Sequence, residues 1–188
     1  MARSLSHSPL FSIARIGATL VAVASAIGCA QGPSASGGPA VTFDPCTPVT
    51  LLPDATATDA QLQGLAAGAA LWNASAASDL LPGGSAGEGS GPSATLPIHF
   101  QVAGAPFHGL YDAPSGQIYI NDDLTGQELA ITIAHEVGHS FGLVHIPSGE
   151  RASLMNPANL TVLPTAADVA TLAGLWGRCG SLDAAGTE

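Results

Sequence analysis

Three histidines and a glutamate lie close together in the stretch HEVGHSFGLVH, which begins at His135. His135 and His139 are four residues apart, so on a helix their imidazoles would project from one face and could share a metal ion. Gly142 would let the chain leave the helix with a positive φ, and the turn could bring His145 back as a third ligand. Glu136 would then lie beside the metal, where a carboxylate that is not a ligand can take a proton from metal-acidified water.

The number of ligands separates two kinds of zinc site. Structural zinc is usually held by four protein ligands, mostly cysteines, whereas catalytic zinc is held by three and keeps one position open for water. The stretch therefore predicts one catalytic Zn²⁺ with His135, His139 and His145 as ligands. Glu136 is the predicted general base of a hydrolytic reaction. The alternative is a helix whose histidines are merely packed or solvated.

This pattern resembles that of the metzincin zinc peptidases, and the resemblance extends beyond the histidines. The segment SLMNP that contains Met155 is similar to the Met-turn of that clan. The resemblance implies that the Met155 thioether forms an apolar floor beneath the imidazoles without binding the metal. Within the clan the sequence is most similar to the matrixin branch, because the Met-turn is followed by LPTAADV and by a helix that ends near Trp176. Thr165 and Asp168 are spaced as a capping box at the start of that helix.

The resemblance implies an α+β fold of the metzincin-like zincin type. Such a fold has a mixed, twisted sheet with a backing helix and an active-site helix, followed by a small C-terminal subdomain that holds the Met-turn and a helix. The apolar periodicity of the chain predicts elements in a matching order. These are a strand at 47–52, a backing helix at 59–80, strands at 96–102 and 116–121, and the active-site helix at 125–142.

Two features depart from the matrixin pattern. Ile146 follows the third histidine, where matrixins usually carry Ser. The segment that binds a structural zinc in animal matrixins is not reproduced around His99 and His108. Both histidines are therefore expected to be surface or strand residues rather than ligands.

The strand before the active-site helix is the predicted substrate-binding rim. In metzincin-like folds this strand forms the upper rim of the cleft, and the resemblance implies that its free edge binds extended substrate by β-augmentation. The alternative is an ordinary core strand, because a sequence does not show an open edge. The rim residues under this prediction are Gln117, Ile118, Tyr119, Ile120 and Asn121.

Two carboxylates precede the active-site helix. Asp122 and Asp123 are placed where negative charge interacts favourably with the helix N-terminus. Calcium would also suit them, but no loop of regularly spaced oxygen donors surrounds them, so capping is preferred and calcium has no support from the sequence.

The beginning of the chain predicts export. Arg3 and Arg15 supply positive charge, and the apolar stretch 16–27 is too short for a comfortable membrane span. The sequence AIGC resembles a bacterial lipobox, which would make Cys29 the lipidated N-terminus; the competing interpretation is ordinary cleavage after Ala26. The predicted segments are a signal peptide at 1–28, a lipid-anchored flexible tether at 29–40, one metallopeptidase domain at 41–180 and a flexible tail at 181–188.

Cysteine usage agrees with export. The chain has three cysteines, and lipidation of Cys29 would leave Cys46 and Cys179 as a pair. Such a pair is predicted to form a disulfide in an oxidising compartment. The alternative is two buried thiols.

The charge of the exported chain restricts its partners. After signal removal only Arg151 and Arg178 stand against fourteen acidic side chains, which leaves a formal charge of −12. Such a chain disfavours nucleic acid and anionic lipid, so its membrane contact is expected through the lipid anchor only. It is expected to act as a monomer on protein or peptide substrates.

Together these features predict a zinc metalloendopeptidase that acts on extracellular or envelope proteins. The first alternative is a catalytically inactive, zinc-containing surface lipoprotein that binds a partner. Retention of Glu136 favours the enzyme, because a purely structural site has no use for a general base. The second alternative is an envelope lipoprotein without metal.

Overall fold

The computed structural model describes residues 40–75, 77–83 and 94–179. The predicted signal peptide, the tether up to residue 39 with its lipidation site Cys29, and the tail at 181–188 lie outside the described residues. None of the helices in the described ranges has the length and apolar character that a bilayer crossing requires.

The described chain forms an α+β structure with a mixed sheet of five strands and three helices, which is compatible with a metzincin-like fold. The strand order in the sheet is β2-β1-β3-β5-β4, and only β4 runs antiparallel to its neighbour. The elements are β1 (Val49–Pro53), α1 (Asp59–Asn73), β2 (Leu80–Pro82), β3 (Ala94–Gln101), β4 (Gly109–Asp112), β5 (Gln117–Asn121), α2 (Gly126–Ser140) and α3 (Ala166–Trp176).

Alternation along the central strands separates the two faces of the sheet. Ile98 on β3 and Ile118 on β5 are fully buried against the helices. His99 lies on the other face, about one third exposed, where its Nδ1 is 2.8 Å from an Asp54 carboxylate oxygen and its Nε2 is 3.0 Å from Gln117 Oε1. His99 is therefore a strand residue of the outer face, as predicted.

The prediction that β5 offers a free edge is wrong. β5 pairs with β3 on one side and with β4 on the other. β4 pairs with β5 alone and is therefore the strand at this edge of the sheet. The five predicted rim residues are thus interior to the sheet, and the edge strand Gly109–Asp112 was not predicted.

The backing helix is shorter than predicted. α1 begins with a capping box between Thr58 and Gln61 and ends at Asn73 rather than near Leu80. The Asn73 side chain donates to the Leu80 carbonyl at 2.9 Å and accepts from the Leu80 N–H at 3.0 Å. This pair of bonds turns the chain out of the helix and into β2, which supplies the second unpredicted strand.

Helix α2, the predicted active-site helix, is buried along most of its length, from Leu129 to Ser140. α1 packs against it, and the Trp72 indole donates to the Ala134 carbonyl at 2.8 Å. Thr125 is the N-cap and makes no side-chain cap bond. The favourable interaction of the Asp122 and Asp123 charges with the helix N-terminus stays a prediction. Burial of the helix from Leu129 onward therefore stabilises it without a side-chain bond from its N-cap residue.

A disulfide joins Cys46, just before β1, to Cys179, just after α3. The two cysteines are 133 positions apart in the chain. In the chain-entropy model, closing a loop of this length stabilises the fold by about 5 kcal/mol. The predicted pairing is therefore present, and it fastens the end of the C-terminal helix to the start of the sheet.

Candidate metal centre

The structure brings the three predicted ligands together. His135 Nε2 lies 3.2 Å from His145 Nε2, and His139 Nε2 lies 3.1 Å from the same atom. One ligand atom from each of the three side chains lies within 4.8 Å of the others. The spacing of the histidines in the sequence therefore corresponds to convergence in space.

The local turn after α2 positions the third imidazole. Gly142 adopts φ +90°, which lets the chain leave the helix. The N–H of Leu143 then donates to the Gly138 carbonyl at 3.0 Å, and that of Gly142 to the His139 carbonyl at 2.9 Å. These bonds form a Schellman motif, in which a side chain at the positive-φ position is strained. The chain is thereby reversed so that His145 faces His139.

Hydrogen bonds at the far ring nitrogens set the orientation of two imidazoles. His135 Nδ1 is 2.7 Å from the Leu154 carbonyl, and His139 Nδ1 is 2.8 Å from the Leu143 carbonyl. A carbonyl only accepts, so each Nδ1 carries the proton and each Nε2 carries a lone pair. Partners of this kind raise the basicity of histidine ligands in metal sites.

The donor set fits zinc. Nitrogens bound to one tetrahedral Zn²⁺ at 2.0–2.1 Å would be roughly 3.3 Å apart, close to the observed 3.1 and 3.2 Å. Three neutral imidazole nitrogens are a ligand set that zinc accepts in catalytic sites.

Burial keeps these imidazoles neutral. Burial, together with the neighbouring His139, lowers the pKa of His135 to about 3. Burial also lowers the pKa of His139, to about 4. Burial also lowers the pKa of the half-buried His145. The ligands therefore remain available to a metal in mildly acidic solution.

We expect the zinc-free protein to lose stability as the pH falls from 6.5 to about 4.5. In this range the unfolded chain takes up protons on these histidines near pH 6.5 while the folded chain does not, so acid favours unfolding. Above pH 7 the same histidines are neutral in both states, so they do not make the free energy of unfolding depend on pH. The denaturant midpoint measured at pH 8, 7, 5.5 and 4.5 tests this prediction. The midpoint should depend less on pH in a His139→Asn variant, because that variant lacks one of the three histidines. A zinc-free midpoint that rises toward pH 5 would contradict the assignment.

The predicted Met-turn lies directly beneath the histidine-bearing helix. Met155 is buried, and its Sδ is 2.7 Å from the position that a Cβ on Gly138 would occupy. Its carbonyl accepts from the Ile146 N–H at 2.9 Å, which fastens the segment after His145 to the turn. Asn156 strengthens this join by donating to the Ile146 carbonyl at 2.9 Å.

A buried carboxylate, that of Asp168, joins α3 to the Met-turn. It is 1% exposed and accepts from the Leu154 N–H and the Arg151 guanidinium, each at 2.9 Å, and from the Ser153 hydroxyl. It also accepts from the Thr165 N–H at 2.9 Å, which completes the predicted capping box. Burial raises the pKa of Asp168, but these hydrogen bonds together bring it below its ordinary value. An ionised carboxylate thus holds the backbone whose carbonyl at Leu154 orients the first imidazole.

Glu136 is fully buried beneath the edge strand β4. Its Oε2 accepts from the Tyr111 backbone N–H at 2.8 Å. A Cβ on Gly109 would lie 2.9 Å from Glu136 Cγ and 2.9 Å from Thr132 Cγ2, so a residue without a side chain is needed here. The strand therefore approaches the glutamate closely enough for its backbone to hold the carboxylate.

Sequence reasoning identified the imidazoles and the glutamate but not the groups that orient them. The backbone donor at Tyr111 carries no signature in the side-chain sequence. Asp168 was predicted only as a helix cap, and its spacing to Thr165 was the available signal. His108 lies just before β4, outside the histidine cluster, with its Nδ1 buried and without a hydrogen-bond partner in the described part of the chain.

Comparison with known proteins gives a partial match. No family model matches the chain. A stretch of 73 residues is 41% identical to part of "a disintegrin and metalloproteinase with thrombospondin motifs 7" of Homo sapiens. The match covers 35% of this chain and 4% of the human protein, so the chain spans a small fraction of that relative's length. A limited likeness to a metalloproteinase and a three-histidine cluster that can hold a metal thus occur in one chain.

Proposed function

We infer that the protein is a zinc-dependent endopeptidase that hydrolyses peptide bonds. The observation that carries this inference is that ring nitrogens of three histidines converge on one point, and that the helix which bears two of them also bears a buried glutamate. His135, His139 and His145 would hold the metal. When bound, zinc supplies a Lewis acid that polarises the peptide carbonyl and makes water acidic enough to attack it.

Glu136 is the proposed general base and acid. Its side chain follows His135 directly in α2, and its orientation is set by the bond from the Tyr111 N–H. The carboxylate takes the proton of the attacking water and passes it to the nitrogen of the leaving amine, since a peptide nitrogen must be protonated to depart. A buried carboxylate whose orientation is fixed by a backbone donor is suited to moving a proton over a short distance without reorienting.

The proposed rim for extended substrate is β4 rather than β5. The Asn121 N–H donates to the His108 carbonyl, so this pair is hydrogen-bonded across the β4–β5 ladder. Alternation then directs the backbone groups of Gly109 and Tyr111 away from β5, toward the outer edge. One of them already binds Glu136, so a peptide paired with this edge by β-augmentation would lie beside the proposed base.

The biological setting is proposed on the sequence and the disulfide. The signal-like start, the lipobox-like Cys29 and the Cys46–Cys179 bond support an exported protein attached to the membrane by its lipid. Proteins of the envelope or exterior are then the proposed substrates. The resemblance of the segment after Met155 supports placement near the matrixin branch.

Metal analysis combined with proteolysis tests this function. The purified protein is expected to contain one zinc per chain and to cleave an unfolded substrate such as reduced casein. A chelator should abolish cleavage and added Zn²⁺ should restore it, because the chelator removes the metal from the three imidazoles and added metal binds them again. Zinc without cleavage would support the inactive binding protein instead, and absence of bound zinc at neutral pH would overturn both.

A further inference from the structure

The first described residues form a strap across two elements of the metal centre. We define the N-terminal strap as residues 40–43. The N–H of Val41 donates to the Ala113 carbonyl at 2.8 Å, just beyond β4, and the N–H of Phe43 donates to the Ser140 carbonyl at 2.9 Å, at the end of α2. The strap thus connects the edge strand to the last turn of the helix that carries His139.

Tyr111 connects this strap to the proposed base. Its hydroxyl donates to the Val41 carbonyl at 2.6 Å, while its backbone N–H donates to Glu136 Oε2 at 2.8 Å. Tyr111 is buried, with 8% of the residue exposed. Burial, together with the charge of Asp112, raises the pKa of Tyr111 to about 12, so the phenol remains a donor at any pH at which the protein would work.

The strap is itself anchored by packing. Phe43 belongs to the hydrophobic core at 9% exposure. Val41 packs on the β4–β5 turn, where its Cγ1 is 2.9 Å from the position of a Cβ on Gly116. A segment held at both ends can restrain a four-residue edge strand that has a neighbouring strand on one side only.

We propose that the N-terminal strap holds β4 in the position in which the Tyr111 N–H donates to Glu136. Tyr111 is the positioning residue, because its hydroxyl binds the strap and its backbone binds the glutamate. The effect on turnover rests on the proposed peptidase function. The effect on the Tyr111 N–H does not, because that bond can be observed without any substrate.

Two single variants and their combination test the strap in the full chain. Tyr111→Phe removes only the hydroxyl that binds Val41. Val41→Pro removes the N–H that binds Ala113 and also the valine side chain that packs on Gly116, so it weakens the same strap. Each should speed amide exchange at residue 111 about tenfold and lower kcat about two- to tenfold, as expected for loss of one hydrogen bond, with KM and zinc content unchanged. Because both act on one strap, the double variant should lose little more than the larger single loss.

Tyr119→Phe is the matched control, since its phenol donates to Gln117 on the outer face of the sheet. It should leave the exchange at residue 111 and kcat unchanged. Unaltered exchange at residue 111 in Tyr111→Phe would overturn the proposal, as would a fall in kcat that follows loss of zinc. If the parent protein cleaves nothing, the peptidase function fails, and the exchange rates alone decide whether the strap restrains β4.

Discussion

Replacing Glu136 with Gln is expected to lower kcat/KM for peptide hydrolysis by about 10²- to 10⁴-fold, the range that a positioned general base contributes. The amide keeps the size of the carboxylate and can still accept from the Tyr111 N–H. It does not take up a proton at neutral pH. The fold and the three imidazoles should therefore remain while the chemical step is lost.

Zinc content and steady-state kinetics on one purified preparation provide the measurement. Glu128→Gln is the matched control, because it makes the same change at an exposed position in the first turn of the same helix. It should retain parental kcat/KM and one zinc per chain. A Glu136→Gln variant that cleaves substrate at the parental rate would exclude this carboxylate as the base, and one that no longer binds zinc would show that it supports the ligands instead.

The three-histidine cluster was predictable because the residues that form it are close together in the sequence. The four-residue spacing of His135 and His139 fixes their common helix face, and Gly142 marks the reversal that returns His145. The disulfide was predictable from the number of cysteines once one was assigned to lipid. In each of these cases residue identity alone restricts the geometry.

The sheet edge was not predictable for the opposite reason. β4 has four residues, GLYD, whose inward positions are Gly109 and Tyr111, so it lacks the alternation that marks β5. Adjacency to α2 in the chain suggested β5 as the rim, but position within a sheet follows pairing, and pairing depends on contacts that no single segment encodes. The contact between a backbone N–H and Glu136 is invisible for the same reason.

Asp168, which joins α3 to the segment beneath the three-histidine cluster, is the second residue whose replacement should have a large effect. Asp168→Ala should lower the free energy of unfolding by about 3–5 kcal/mol, because it removes a buried carboxylate that pairs with the partly exposed Arg151 and accepts from buried donors as well. It leaves the Arg151 guanidinium and the Leu154 N–H without their shared acceptor. Because the Leu154 carbonyl orients His135, zinc affinity should also fall, by about 10- to 100-fold.

Gln61→Ala separates these two effects. Gln61 and Asp168 hold the same N3 position in the capping boxes of α1 and α3, but only Asp168 also binds the Met-turn. Gln61→Ala should cost about 0.5–1.5 kcal/mol of stability, as expected for loss of one hydrogen bond, and leave zinc affinity unchanged. Zinc affinities are compared by competition with a chelator at a temperature at which all variants are folded. If Asp168→Ala unfolds more easily yet binds zinc as tightly as the parent, the carboxylate stabilises α3 alone, and His135 is oriented independently of it.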